Sequence, residues 1–118
     1  MWKLVYKDTI RFVGYKTSFM IREDEDIKGK INILSKSIII HSLIYYIYNT
    51  SIIKDYEFDM NAKQLFNLIE SHNDIFINSK YYYVLYDFDG CSGFNIPDRL
   101  SNDDRCYFDS IINRLGIN

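Results

Sequence analysis

Proline and glycine are scarce in this chain, which has one proline and five glycines among 118 residues. Linkers and low-complexity segments are rich in such residues, and no segment of that kind occurs here. The apolar fraction of 47% and the aromatic fraction of 17% exclude a disordered chain, because they allow a sizeable core to be buried. We therefore expect a single globular domain covering residues 1–118.

Cysteine is also rare. Cys91 and Cys106 lie 15 positions apart, and neither belongs to a CxxC motif or a Cys/His pair. This pattern excludes the usual zinc motifs and is typical of free thiols in a reducing compartment. The N-terminus lacks the apolar core and the cleavage site of a signal peptide. We expect a cytoplasmic protein without a cofactor.

An excess of positive charge is absent, since 14 basic residues stand against 16 acidic ones and the net charge is −2. Nucleic-acid binders need clustered cations to displace counterions from phosphates, so we expect no nucleic-acid binding. The one local departure from mixed charge is the acidic run Glu23, Asp24, Glu25 and Asp26. Such a run is usually a solvated loop, and the alternative is an acidic tip that binds a partner.

A run of apolar residues long enough to span a membrane is missing. Residues 38–53 form a stretch of 16 that contains polar residues such as His41 and Asn49, whereas a spanning helix needs about 20 apolar residues. We expect no transmembrane segment. The stretch is rich in isoleucine and tyrosine, which favour strands, and polar breaks divide residues 30–53 into segments of strand length.

Strands are predicted along much of the chain from alternation, β-branched residues and turn signals. In addition to residues 30–53, the predicted strands are residues 2–6, 9–15, 19–22, 80–88 and 91–96. Asp89-Gly90 predicts a hairpin turn between the last two strands, and Pro97 should end the second of them.

Two segments have helical patterns instead. Asn61 is predicted to cap a short helix that reaches about His72. Ser101 is predicted to cap a terminal helix that stops at Gly116. The acidic first turn, apolar stripe and basic last turn of this terminal helix comprise Asp103, Asp104, Phe108, Ile111, Ile112, Arg114 and Leu115. The combined pattern predicts an α+β fold, a curved antiparallel sheet or partly open barrel with a short internal helix and a C-terminal capping helix.

Three segments resemble known bacterial domains. Residues 28–40, KGKINILSKSIII, resemble the glycine, strand, turn and strand segment of pleckstrin-homology (PH) and GRAM-type domains. Residues 56–77 and 81–115 resemble the C-terminal half of the YcxB-like family, including an Ile96-Pro97 and Arg99 step before a closing helix. Met60 stands where that family often has tryptophan, and the usual pair of transmembrane helices is missing. The resemblance implies a PH-like, non-enzymatic domain.

Asp87 and Asp89 are candidate metal ligands, because two carboxylates next to a glycine begin a calcium-binding loop. The positions that should supply further oxygen ligands hold Cys91 and Gly93. A hairpin turn without a metal is therefore the expectation.

Nucleophilic catalysis would need Cys91 or Cys106 close in space to His41 or His72. Structural roles are expected for both histidines, with His41 neutral inside an apolar strand. No nucleophile elbow, phosphate loop or HExxH motif occurs in the sequence. We therefore expect that the protein is not an enzyme.

Tyrosines are the best candidates for binding, because runs at residues 45–48 and 81–83 should place some rings at the surface. Tyr45 and Tyr82, together with the acidic residues 23–26, are the candidate partner-binding residues. The alternative is that most tyrosines line the core and direct their hydroxyls outward.

The expected function is that of an interaction module that binds a protein or peptide partner. One alternative is an immunity or inhibitor protein that neutralises a toxin. The codons of the dominant residues are rich in A and T, which predicts an AT-rich genome. Recognition of a lipid surface is a weaker alternative, because Lys28, Lys30 and Lys36 form only a thin cationic group. A homodimer through a free sheet edge is also considered.

Overall fold

The computed structural model describes residues 2–4, 20–22, 26–91 and 93–117. Two short strands, β1 (Trp2–Leu4) and β2 (Met20–Arg22), pair in antiparallel fashion. Residues 26–91 and 93–117 are 68% helical and contain no strand. Their helices are α1 (Ile27–Tyr46), α2 (Asp55–Ser71), α3 (Asn73–Phe76), α4 (Tyr82–Leu85), α5 (Ile96–Arg99) and α6 (Asn102–Arg114).

The predicted α+β fold with a curved antiparallel sheet or partly open barrel is wrong, and so is the PH-like architecture that the resemblance implies. Residues 30–53 lie mostly in helix α1, and residues 80–88 include the helical turn α4 instead of a strand. Residues 91 and 93–95 form a loop that leads into α5. The predicted strand at residues 9–15 lies outside the described residues.

Helix α1 is the centre of the fold. It contacts β2, α2, α3, α5 and α6, and every residue from 37 to 44 is buried. A helix buried on all sides has no polar face, so its apolar residues show no period of 3.6. Without that period, the β-branched isoleucines favoured a strand prediction, although the modest strand-versus-helix preference of a side chain is easily overridden by packing.

Asp26 begins α1 by a side-chain cap, since its Oδ1 accepts a hydrogen bond from the Gly29 backbone N–H at 2.7 Å. This bond satisfies one of the free N–H groups in the first turn of the helix. Asp26, predicted as part of a partner-binding acidic tip, therefore has a local structural role.

Helix α2 confirms the predicted internal helix but begins earlier than predicted. Lys54 is the N-cap, and its backbone N–H donates to Glu57 Oε1 at 3.0 Å. Asn61, the predicted cap, is buried inside the helix and donates from Nδ2 to the Glu57 carbonyl at 2.8 Å. The helix ends at Ser71 with His72 as its C-cap, which agrees with the predicted end at about His72.

Helix α6 confirms the predicted terminal helix. Ser101 Oγ accepts a hydrogen bond from the Asp104 N–H at 3.2 Å, and Gly116 has the positive φ of 80° that suits a helix stop. Phe108, Ile111 and Ile112 are buried, as the predicted stripe requires. However, the helix packs against other helices and does not, as was predicted, cover a sheet.

The predicted turn at Asp89-Gly90 exists, but the hairpin around it does not. Asp89 Oδ1 accepts a hydrogen bond from the Cys91 N–H at 2.9 Å, and Gly90 has a φ of 84°. The turn connects α4 to the loop before α5. Pro97 lies in the first turn of α5, where its missing N–H costs no hydrogen bond, instead of ending a strand.

The core is formed where the helices pack around α1. Tyr81 and Phe108 are its largest fully buried side chains, with ring centroids 5.7 Å apart. Burial raises the pKa of the Tyr81 phenol, whose hydroxyl has no hydrogen-bond partner among the described residues. Tyr81 is thus a core tyrosine whose hydroxyl does not reach water. The aliphatic side chains that are equally buried are Ile31, Leu34, Ile38, Ile39, Ile40, Leu43, Ile44, Ala62, Leu65, Val84, Leu85 and Ile112.

Candidate functional site

An open cleft of about 350 Å³ lies where the last turns of α1 meet the start of α2 and the loop before α5. Helix α1 contributes His41, Ser42, Tyr45 and Tyr46, and the segment leading into α2 contributes Ser51, Ile53 and Lys54. The remaining lining residues are Asp55, Phe58 and Asp59 of α2 and Cys91 and Gly93 of the loop. We call this site the aromatic cleft.

The buried side of the aromatic cleft depends on close contact between α1 and the loop. Ser42 Oγ donates a hydrogen bond to the Ile38 carbonyl at 2.7 Å, which holds the hydroxyl against its own helix. A Cβ atom at Gly93 would lie only 1.9 Å from that Oγ. Any larger residue would collide with Ser42. Glycine at position 93 therefore allows the loop to approach the helix and to form one wall of the cleft.

His41 is buried beside Ser42, and burial alone lowers the pKa of its imidazole from 6.5 to about 3. Desolvation disfavours the charged form of a base, so His41 is neutral near neutral pH. The predicted neutral state is supported, but the residue lies in a helix and not in a strand.

Aromatic rings form one edge of the cleft, where Tyr45 and Tyr46 line it and Phe94 extends their ring contacts beyond the lining. The centroids of Tyr45 and Tyr46 are 4.9 Å apart and those of Tyr46 and Phe94 are 5.7 Å apart, both in edge-to-face geometry. These three residues, which we call the aromatic ridge, are 56%, 37% and 68% exposed. Exposed rings in mutual contact make a larger apolar surface than isolated surface residues do.

Two carboxylates line the same cleft from α2. Asp55 and Asp59 lie four positions apart, so they occupy one face of the helix, and both are exposed. Within the part of the chain that the structure describes, neither carboxylate forms a hydrogen bond or an ion pair. The cleft therefore combines an aromatic edge with unpaired negative charge.

A Cys–His pair was one catalytic possibility, and the structure places Cys91 and His41 on the same cleft. Cys106 is exposed on α6, while His72 lies between α2 and α3. Burial lowers the pKa of His41 to about 3, which disfavours the imidazolium that a thiolate–imidazolium pair would need. Among the described residues, no group of three or more potential ligands could hold a metal ion.

Tyr45 is the only predicted partner-binding residue that the described structure places in the cleft. Tyr82 is half-buried and packs against Phe76 and Tyr86, with centroid distances of 5.2 and 6.5 Å. Residues 23–25 of the predicted acidic tip lie outside the described residues. The prediction that some tyrosines reach the surface is supported by Tyr45.

Sequence reasoning missed Tyr46, Phe94, Asp55 and Asp59 as site residues. The sequence contained a signal for a binding role of Phe94. A large aromatic residue between Gly93 and Asn95 is unusual in a loop whose residues serve only to pack against the protein. The sequence contained no such signal for Asp55 and Asp59, since they can be placed on one helix face only when α2 is known to begin at Asp55.

The aspartates of the DFDG segment have structural partners. Arg99 forms two bonds to Asp87, from Nη1 at 2.6 Å and from Nη2 at 3.1 Å, and its guanidinium lies 4.5 Å from the Tyr86 ring centroid. The bonds from Arg99 lower the pKa of the Asp87 carboxyl. Arg99, identified at first through the family resemblance, thus joins α5 to the turn after α4.

No protein-family model matches the sequence, and neither a curated protein nor a solved structure matches the chain. Among the residues that the structure describes, no helix is both long and apolar enough to cross a bilayer. The function must therefore be inferred from the side chains of the chain itself.

Proposed function

We propose that the protein is a non-enzymatic interaction module that binds an extended segment of a protein or peptide in the aromatic cleft. The observation that carries this proposal is the aromatic ridge, three exposed rings in which Tyr46 contacts both Tyr45 and Phe94 beside an open cleft. Aromatic side chains supply large contact area with few rotatable bonds, and they dominate the energetics of many interfaces.

The size and lining of the cleft support a peptide-like occupant. Its volume of about 350 Å³ is at the low end of ligand sites and suits one or two side chains better than a folded domain. Aromatic rings lie beside several polar and charged groups, a composition that provides both contact area and orientation.

The position of the tyrosines also favours binding. Tyr45 and Tyr46 occupy the last turn of α1, directly after the stretch from residue 37 to residue 44 that is buried throughout. Rings presented from the central helix lose little backbone freedom when a partner binds, so less binding energy is spent on ordering.

Peptide selection tests the proposal. Random peptides about a dozen residues long are selected on the purified protein, and the best binders are synthesised and their Kd values measured by fluorescence anisotropy. We expect Phe94→Ala and Tyr45→Ala each to weaken binding about tenfold or more, because each removes one ring of the aromatic ridge.

Met60→Ala is the matched control, since Met60 is 65% exposed and Phe94 is 68% exposed, but Met60 belongs neither to the aromatic ridge nor to the lining of the cleft. This variant should bind as tightly as the unmodified protein. Failure to select any peptide, or equal binding by all variants, would exclude the proposal. Sedimentation of the free protein adds a second check, because a dimer that Phe94→Ala dissociates would make a second copy of the chain the occupant instead.

A further inference from the structure

We infer that the aromatic cleft selects a partner segment that carries a cationic side chain, arginine or lysine, and that this side chain lies between the tyrosine rings and the two carboxylates. The inference rests on the proposed function and names the chemistry that the cleft recognises. It is based on Asp55 and Asp59 lining the same cleft as Tyr45 and Tyr46.

The carboxylates provide the first reason. Asp55 and Asp59 face one side of α2 at a spacing at which like charges repel each other. Neither has a hydrogen-bonding or ionic partner within the described part of the chain. A cation bound between them would be attracted by both charges and would offset their mutual repulsion.

The cations of the chain itself provide the second reason. Lys54 is the only lysine or arginine among the described residues that line the cleft. Its Nζ lies over the ring of Tyr56, 6.0 Å from the centroid, and its backbone N–H donates to Glu57. Because this ammonium group contacts Tyr56 and forms no ion pair with Asp55 or Asp59, the negative charge of the cleft remains available.

The rings provide the third reason, since the faces of tyrosine rings attract cations. Tyr45 and Tyr46 meet at an interplanar angle of 86°, which places the edge of one ring against the other and leaves further ring surface exposed. The same contact occurs within the fold, where the Arg99 guanidinium lies 4.5 Å from the Tyr86 ring centroid.

Other occupants fit the cleft less well. An acidic side chain would be repelled by Asp55 and Asp59, and a purely apolar side chain would remove water from these carboxylates without replacing its hydrogen bonds. A cationic side chain with an apolar stem satisfies both sides, because the stem packs on the rings while the charged head meets the carboxylates.

The test uses the best-binding synthetic peptide from the peptide selection, made once with its arginine and once with citrulline, the neutral isostere of arginine; a lysine peptide is made with lysine and with acetyl-lysine. We expect the neutral form to bind about five- to tenfold more weakly, as contacts of this kind between exposed groups allow. Raising the salt concentration should reduce this difference.

Protein variants connect the effect to the carboxylates. Asp59→Asn should weaken binding of the charged peptide and reduce the difference between the two peptide forms, and the double variant Asp55→Asn/Asp59→Asn should reduce it further, to the part that the tyrosine rings contribute. Glu70→Gln, an exposed position on the same helix outside the cleft, is the control and should retain the full difference. Circular dichroism checks that every variant keeps its helix content.

The two proposals fail separately. If Phe94→Ala weakens the selected peptides but they lack arginine and lysine, or bind equally well in neutral form, the preference for a cation is overturned and peptide binding stands. The same holds if Glu70→Gln removes the difference as fully as the cleft variants do. If no peptide depends on Phe94, both proposals are overturned.

Discussion

The central helix α1 and the last helix α6 are buried in different ways. Helix α6 buries three of its 13 residues along one stripe, Phe108, Ile111 and Ile112, and exposes most of the rest. Helix α1 buries 11 of its 20 residues, including every residue from 37 to 44. Helix α6 therefore covers the core from one side, whereas helix α1 lies inside it.

The two helices also begin in the same way, with a side-chain oxygen at the N-cap, Asp26 in α1 and Ser101 in α6. The difference between them is therefore set by their surroundings. Helix α1 contacts four other helices and β2, so nearly all of its faces meet protein instead of water. Amphipathic periodicity thus indicates that a helix lies at a surface, and it is not a requirement for helix formation as such.

Alanine substitutions should show the largest difference. Ile38, Ile39 and Ile40 are consecutive and buried, so each change to alanine should cost about 2–5 kcal/mol of unfolding free energy, whichever way the side chain points. In α6, Phe108→Ala should cost about 3–5 kcal/mol, whereas Ser110→Ala, at an exposed position, should change it by less than about 0.5 kcal/mol.

Urea denaturation followed by circular dichroism measures these free energies. If Ile38, Ile39 or Ile40 tolerated alanine as well as Ser110 does, α1 would have an open face and the contrast between the helices would be lost.

The two helices should also contribute differently to the loss of unfolding free energy in acid. His41 in α1 has a pKa of about 3 when folded and 6.5 as its ordinary value, so only the unfolded chain binds the proton in between. Stability should therefore be unaffected by His41 above pH 6.5 and should fall as the pH drops from 6.5 toward 3. The loss is about 1.4 kcal/mol per pH unit.

The useful window lies between pH 6.5 and about 5, where carboxylates stay mostly ionised. His41→Gln should flatten the dependence of the unfolding free energy on pH in this window. Equal slopes in the unmodified protein and in His41→Gln would show that the imidazole is not buried in neutral form. The buried stripe of α6 consists of Phe108, Ile111 and Ile112. It contains no titratable group that would contribute to this pH dependence.

The smallest effect is expected at the caps, where the helices are alike. Asp26→Ala and Ser101→Ala should each cost about 1 kcal/mol, because each removes the acceptor for one N–H group of the first turn. Asp26→Asn and Ser101→Asp keep an acceptor and serve as controls. Unfolding free energies from denaturant titration should be similar for the two alanine variants, and a severalfold difference would show that packing changes the contribution of a cap.

Helix α6 and the turn at Asp89-Gly90 could be predicted because their signals are local. A cap, a stripe at spacings of three and four, and a glycine with positive φ each act over a few residues. The start of α2 was misplaced, because Lys54 is not a usual capping residue and the cap uses the Glu57 side chain instead.

The candidate site was only partly predictable. Tyr45 stood out as a tyrosine with a chance of exposure, but its neighbours in the cleft come from distant parts of the chain. Asp59 comes from α2 and Cys91 from the loop before α5, and no local pattern relates them to Tyr45. The wrong strand assignment to residues 30–53 also hid the shared helix face on which Ser42 and Tyr45 lie, because residues three apart point to opposite faces of a strand.

By itself, the sequence determined that the chain has enough apolar residues for a core, that a capped amphipathic helix ends it, and that Asp89-Gly90 makes a turn. Tertiary structure alone decided that residues 27–46 are a helix and that a cleft forms at its end. The physical reason is that burial on all sides removes the polar face that would mark a helix, and which segments bury it depends on contacts between distant residues.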